Sequence, residues 1–318
     1  MQFILLIAGY FLLFHHFTQN SNWQQIRLHL HALSENANWY LLALVCLLMP
    51  FNWITETWRW KLILHSLPLK LPYSKYLGGV LTGLSSGTFT PNRIGEMPGR
   101  LWAIPQGHRT KALVLTSVYS SLQLIVSLLV GGLSLMWLAP RFSANLHTHG
   151  YGWMLAGMGS VLLSVLIFIL LYHSQKISFI KKYLPAFILT RISSLEMHEP
   201  GTLYKILLIT LLRYLIYASQ YVLIIIALSP ASAAWVLYPA VFVLLLLMSI
   251  SPSMFLIDMG IRGSLSIFVL SQFGIADVAS VLTVSLAWFI NIVIPSLPGV
   301  YLFVSNPRNN RKKLRIEN

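Results

Sequence analysis

Apolar residues run along this chain in blocks of membrane-crossing length rather than in the short alternations of a soluble domain. Uninterrupted blocks fall at 3–17, 39–64, 112–138, 152–172, 204–228 and 279–304. A helix needs about 20 residues to cross the hydrocarbon core, so the pattern predicts six full crossings. The first block is short, and it has neither a basic leader nor an A-x-A cleavage pattern, so it is read as a retained span and not a signal peptide. Two further blocks are apolar but broken. Pro91, Gly95, Pro98 and Gly99 interrupt 76–108, and Pro252, Gly260 and Gly263 interrupt 233–275. Irregular backbone at membrane depth is tolerated only where protein buries it or where it lines a wet cavity. Both blocks are therefore expected to be re-entrant hairpins, each entering and leaving on one side.

The fold expected is an all-α polytopic integral membrane protein, one transmembrane domain over 1–318. Composition agrees: 56% of residues are hydrophobic and 9% charged, against roughly 25% charged in an average soluble domain. A soluble enzyme is excluded first. The net charge of +14 is read as loops facing anionic lipid, with no nucleic-acid partner, because the basic residues lie between apolar runs. Six crossings put both ends on one side. On that topology 16 Lys and Arg fall in inner segments and only Arg27 and Arg141 in outer loops. The positive-inside rule then places both termini in the cytoplasm, in the cell (inner) membrane. Residues 173–203 read as a basic amphipathic helix on the inner surface, and 305–318 as a basic tail. The single Cys46 allows no disulfide framework.

The most informative stretch is Thr90-Pro91-Asn92-Arg93-Ile94-Gly95-Glu96-Met97-Pro98-Gly99-Arg100. Charges in apolar surroundings are expensive, so they pair or line a site. Glu96 and Arg100 are four apart and share a face if helix resumes there. Pro91, Gly95 and Gly99 interrupt the helix and free backbone N–H groups that can hold an anion. The stretch from Ser251 to Gly263 repeats this grammar. A hydroxyl residue precedes Pro252, and Asp258 precedes Arg262 by four, with Gly260 between them. A long span precedes and follows each motif. The two units, about 39–138 and 204–304, begin on opposite sides, which is the mark of an inverted repeat; in transporters such repeats meet near the midplane around the substrate. The bland alternative is that both acid–arginine pairs only fix helix packing.

Arg213 lies too deep in its span to snorkel easily and is expected to contact a lipid phosphate or to pair with Asp258 or Glu96. Glu56 and Arg59 are expected to form an interfacial salt bridge, and Trp53, Trp58 and Trp60 an aromatic belt. The histidine pairs near residues 15, 29 and 147 fix no third ligand, so no metal site is expected. No Gly-Lys-Ser/Thr follows the glycine pairs, so no ATP site or other cofactor is expected either.

At the first motif the chain resembles the flippase-like transmembrane domain of lysylphosphatidylglycerol synthases, which also occurs free-standing. The family pattern, roughly Pro-x-Arg-x-Gly-Glu with a following Arg, is matched by Pro91, Arg93, Gly95, Glu96 and Arg100. In the second half Pro252, Gly260 and Arg262 fit. The common Gly-x-Arg-Glu arrangement is lost, because Gly263 follows Arg262, and Asp258 stands in from one turn earlier. The resemblance, over about 39–304, implies a domain that moves a membrane lipid between leaflets. No transferase activity is expected of the 14-residue tail after Val304. The function expected is translocation of an anionic, or an aminoacylated or zwitterionic, lipid headgroup through a polar cleft. Arg93, Glu96, Arg100, Arg213, Asp258 and Arg262 would contact the substrate. The alternative is a non-catalytic membrane subunit that anchors a separate cytoplasmic or membrane enzyme, with 173–203 and the tail as its docking surface. The oligomeric state is not legible.

Overall fold

The computed structural model describes residues 38–88, 90, 93–147, 150–173, 200–229, 234–251 and 255–305, with His31 and Glu35; at 173, 200, 234 and 255–258 it describes backbone only. The short first block, the 173–203 segment apart from its ends, the tail beyond Ser305, Pro91 and Pro252 lie outside the described residues. Among the described residues there is no strand. The helices are α1 (Trp39–Ile63), α2 (Tyr73–Thr88), α3 (Glu96–Arg100), α4 (Arg109–Leu146), α5 (Gly150–His173), α6 (Pro200–Leu228), α7 (Ala234–Ile250), α8 (Phe255–Leu270), α9 (Asp277–Trp288) and α10 (Ile294–Val304).

Five helical stretches are long and apolar enough to cross a membrane: Trp39–Ile63, Gln106–Leu146, Gly150–Tyr172, Gly201–Leu228 and Asp277–Val304. They coincide with five of the six expected crossings, and the sixth falls outside the described residues. Their outward faces carry large apolar side chains, among them Leu155, Leu162, Leu166 and Leu170 on α5. That is the expected surface where the solvent is lipid, because a helix satisfies its own backbone and needs only an apolar exterior. Inside, helices approach through small residues. A Cβ on Gly157 of α5 would stand 2.8 Å from the Gly132 carbonyl of α4.

The two broken blocks are each a helix, a break and a returning helix. In the first, glycines at four-residue spacing on α2 (Gly79, Gly83 and Gly87) face the returning segment at Ala103, at Arg100 with Glu96, and at Glu96 again. The Thr82 hydroxyl also donates to the Gly99 carbonyl at 3.0 Å. The pairing is antiparallel, so the base of the hairpin lies at Tyr73 and Ile104, and Thr88 and Gly95 stand at the opposite end. In the second block, Trp235 at the start of α7 meets Trp137 edge-on at 6.2 Å. After α8, the Gln272 carbonyl accepts from Arg141 at 3.0 Å.

Helix α4 serves as a ruler for both. The base of the first hairpin sits at the start of α4, where Arg109 donates to the Ile104 carbonyl at 3.0 Å. Both ends of the second pair sit near its finish, at Trp137 and Arg141. The two hairpins therefore have their bases at opposite ends of the bundle, with the ends of α2 and α7 toward its middle. Two apolar cores correspond. One gathers Trp60, Tyr76, Ile104 and Tyr119 beneath the first hairpin, and the other gathers residues of α6, α7 and α9. Trp60 is fully buried there and not in an aromatic belt, because the gap above Gly79 accepts its ring.

The crossing Asp277–Val304 contains a π-helical stretch, Phe289–Val293. Pro295 follows it, and proline has no N–H for the carbonyl four residues back and clashes with it, so the helix widens just before it.

A Cβ on Gly83 would stand 2.5 Å from Arg100 Cγ and 2.7 Å from the Glu96 carbonyl. Gly83→Val should therefore wedge the first hairpin open. Thermal unfolding in detergent should show a loss of about 2–4 kcal/mol, within the range for overpacked cores and broken buried contacts, whereas Gly107→Val, with open space around it, should leave the midpoint unchanged.

Candidate functional site

Glu56, on α1, is 4% exposed and stands among three guanidinium groups. Its Oε1 accepts from Arg100 Nη2 at 2.6 Å and from Arg59 Nη2 at 3.0 Å. Its Oε2 lies 2.9 Å from Arg59 Nε and 2.9 Å from Arg213 Nη1. The same Arg100 nitrogen donates to Glu96 Oε1 at 2.7 Å, and Glu96 Oε2 meets Arg93 at 3.1 Å. The pairing of Glu96 with Arg100 thus forms as the four-residue spacing predicts. It is one link of a longer chain that ties hairpin tip, α1 and α6 together. Glu56 and Arg59 are buried core groups and not an interfacial pair, and Arg213 pairs with Glu56. Arg100 also lies over the Trp60 ring, 5.8 Å from its centroid.

Four arginines (Arg59, Arg93, Arg100 and Arg213) share two carboxylates (Glu56 and Glu96), an excess of two positive charges among the described residues of the network. In low dielectric an unbalanced charge is costly, and Arg93 and Arg213, unlike Arg59 and Arg100, remain partly exposed.

A cavity of about 600 Å³ opens beside this network, lined by Arg93, Arg213 and Arg262. Gln123 and Ser127, at the middle of α4, also line it, so it lies at half height in the bundle. From the first hairpin come Leu84 and Arg93; from the second come Met248 to Ser251 and Arg262. Arg93 sits at a φ of 55°, left-handed backbone that a non-glycine residue seldom adopts. That turn aims its side chain back from the tip toward Glu96 and the cavity, and such local cost is characteristic of functional positions.

Amides orient the wall. Arg213 Nε donates to Asn52 Oδ1 at 3.0 Å, Asn52 Nδ2 donates to Asn291 Oδ1 at 3.1 Å, and Asn291 Nδ2 donates to the Ala287 carbonyl at 3.0 Å. Arg213 Nη1 donates to Gln123 Oε1 at 3.3 Å. Guanidinium only donates, and each amide oxygen of the relay accepts one of these bonds. Asn291 lies within the π-helical stretch, whose extra residue per turn turns it inward toward Asn52.

Of the residues singled out in the sequence, Arg93, Arg213 and Arg262 reach the cavity, while Glu96 and Arg100 stand behind its wall and hold Arg93 and α1. Gly95 and Gly99 pack against Ser86 on α2, with no room for a Cβ, and Gly260 is buried on α8. The Asp258 side chain lies outside the described residues. Sequence reasoning missed Glu56 as the hub, and missed Asn52, Gln123 and Asn291 altogether. The usable signal was a polar residue within an otherwise apolar span, present at 52, 123 and 291.

Glu56→Gln would leave three arginines without their shared acceptor, and breaking a buried pair typically costs about 3–5 kcal/mol. Glu96→Gln should cost less, because the Glu96 side chain is 24% exposed and meets only two arginines. Paired thermal melts of the two variants should rank Glu56→Gln as clearly the less stable; equal midpoints would contradict the hub.

No match is found among curated proteins. Residues 3–299 match the family model described as the lysylphosphatidylglycerol synthase TM region. Spanning nearly the whole chain and both hairpins, that match makes this membrane protein a member of the lysylphosphatidylglycerol synthase transmembrane family.

Proposed function

We propose that the chain is a lipid translocase, in which a headgroup crosses through the arginine-lined cavity while its acyl chains stay in the bilayer. The observation that carries this reading is the cavity's composition at half height: three guanidinium groups in an apolar bundle, beside a network that already holds more positive than negative charge. Guanidinium binds phosphate oxygens bidentately, so a phosphate entering here offsets charge that the described network leaves unbalanced. The amides and hydroxyls around it replace the water the headgroup gives up.

In this reading the two broken blocks are re-entrant hairpins from opposite membrane faces, the two halves form an inverted repeat, and the chain crosses six times with both ends in the cytoplasm. The opposed bases along α4 and the charge bias of the loops support that arrangement. The hairpin tips are the parts that move. Arg93 is the one guanidinium of the first hairpin that both lines the cavity and pairs with Glu96, so a phosphate competes with Glu96 for it and loosens the tip. No covalent step is assigned to the chain; any energy comes from the lipid gradient, an ion or a partner.

The test is flipping of acyl-labelled phospholipid in proteoliposomes, read by dithionite bleaching of the inner-leaflet dye as it emerges. Arg93→Ala and Arg262→Ala should each slow translocation at least about tenfold, equivalent to roughly 1.4 kcal/mol, while eluting as folded protein. Unchanged rates would contradict the proposal. So would a wild-type chain that moves no lipid but retains a cytoplasmic enzyme through purification, which is the outcome expected of an anchoring subunit.

A further inference from the structure

We infer that Asn291 and Asn52 are positioning residues that act on a bound phosphate through Arg213, by fixing the direction in which its remaining nitrogen points. The inference rests on the reading of the cavity as the headgroup site and assigns the residues that set one of its guanidinium groups.

Arg213 is held on two edges. Its Nε donates to Asn52 Oδ1 at 3.0 Å. Its Nη1 lies 2.9 Å from Glu56 Oε2 and donates to Gln123 Oε1 at 3.3 Å. Nη2 has no partner among the described residues, and the side chain is 30% exposed and lines the cavity. A guanidinium is planar, so its donors keep a fixed fork and fixing two edges aims the third nitrogen. Glu56 and Gln123 share a single nitrogen, which leaves the plane hinged there. The Asn52 contact, on the other edge, sets its tilt.

Asn52 holds Arg213 only if it presents its oxygen, and the two ends of the relay decide that. A guanidinium only donates, and a backbone carbonyl only accepts. Asn291 therefore turns Nδ2 to the Ala287 carbonyl at 3.0 Å and Oδ1 to Asn52. Asn52 then gives Nδ2 to Asn291 at 3.1 Å and has Oδ1 facing Arg213. Each amide is 6% exposed, so the protein and not bulk water supplies these partners. With Asn291 gone, Asn52 would be oriented only by Arg213, the group it has to hold.

The far end of the relay is rigid. Asn291 sits in the π-helical stretch Phe289–Val293. Beyond it on the same crossing, the Ser296 carbonyl accepts from Ser85 of α2 at 2.7 Å, and the Ser296 hydroxyl meets that of Thr88 at 3.2 Å. Gly299 follows against Ser85 and the Leu81 carbonyl, with no room for a Cβ. The crossing that carries Asn291 is thus locked against the first hairpin. A binding constellation needs its supporting side chains held to within about 0.5 Å, and a short amide on a locked span meets that need.

The experiment is a double-mutant cycle on lipid affinity. The probe is dihexanoyl phosphatidylglycerol, whose only charge is its phosphate. Affinity is read as the concentration giving half-maximal thermal stabilisation of the purified chain at fixed ionic strength. Asn291→Ser keeps a hydroxyl able to bond to Ala287, as Ser296 bonds to Ile292, but one too short to reach Asn52. It should weaken binding at least about fivefold in the wild-type background, and Arg213→Gln should weaken it about tenfold or more. In the Arg213→Gln background Asn291→Ser should change affinity less than about twofold, because the group it acts through is gone. Asn291→Thr is read the same way if the serine variant melts well below wild type without lipid. An equal loss in both backgrounds overturns the inference, since an asparagine that touched the headgroup itself, or only stiffened the bundle, gives that result. So does an Arg213→Gln chain that binds as tightly as wild type, or a wild-type chain that the probe does not stabilise. Coupled affinities in a chain that flips no lipid sink the translocase reading and leave this one standing; flipping with uncoupled affinities does the reverse.

Discussion

One carboxylate surrounded by three guanidinium groups, almost wholly out of solvent, governs how this bundle is put together. Glu56 joins α1 to α6 through Arg213 and to the first hairpin through Arg100. Glu56, Arg59 and Arg100 have almost no water to fall back on, so each must find its partner within the bundle or pay most of its desolvation cost. That requirement selects a fold in which α1, α6 and the tip of the hairpin converge at one height. The glycine spacing on α2 serves the same end, because only a bare backbone lets the segment of Glu96 and Arg100 lie close enough for both side chains to reach inward.

The two broken segments solve the problem of irregular backbone in different ways. The first is pinned by charge and by close backbone packing of α2 on the returning segment. In the second, α7 packs chiefly on α4, through Leu246 and the Phe242 carbonyl against Gly131, and α8 packs chiefly on α9. A charged clasp has direction and register, whereas an apolar face can slide. On the proposed mechanism a headgroup that draws Arg93 from Glu96 loosens the first tip, while the Glu56 clasp behind it stays closed.

Much of the architecture is legible in the chain because lipid imposes a simple rule. A segment must be long, apolar and self-satisfied to cross, and the blocks at 39–64, 112–138, 152–172, 204–228 and 279–304 obey it. The first motif is legible too, since Glu96 and Arg100 are local partners one helical turn apart. Glu56 is different. Its partners Arg100 and Arg213 are 44 and 157 positions away along the chain, and only tertiary packing brings them together. Local spacing pairs Glu56 with Arg59, which is true but incomplete. Asn52, Gln123 and Asn291 are equally silent, because an isolated amide in an apolar run reads the same whether it faces lipid, a neighbour or a cavity. The widening of the helix before Pro295, which turns Asn291 inward, falls within a block that reads along the sequence as one uninterrupted span.

The central claim is that excess guanidinium charge at half height is balanced by a lipid phosphate. Native mass spectrometry of the chain released from mild detergent measures this most directly. The account predicts that the wild-type chain retains one anionic phospholipid, and that the adduct disappears when Arg93 and Arg262 are both replaced by Gln in a variant that stays folded. A wild-type chain that carries no phospholipid, or an adduct that survives the double substitution, would contradict it.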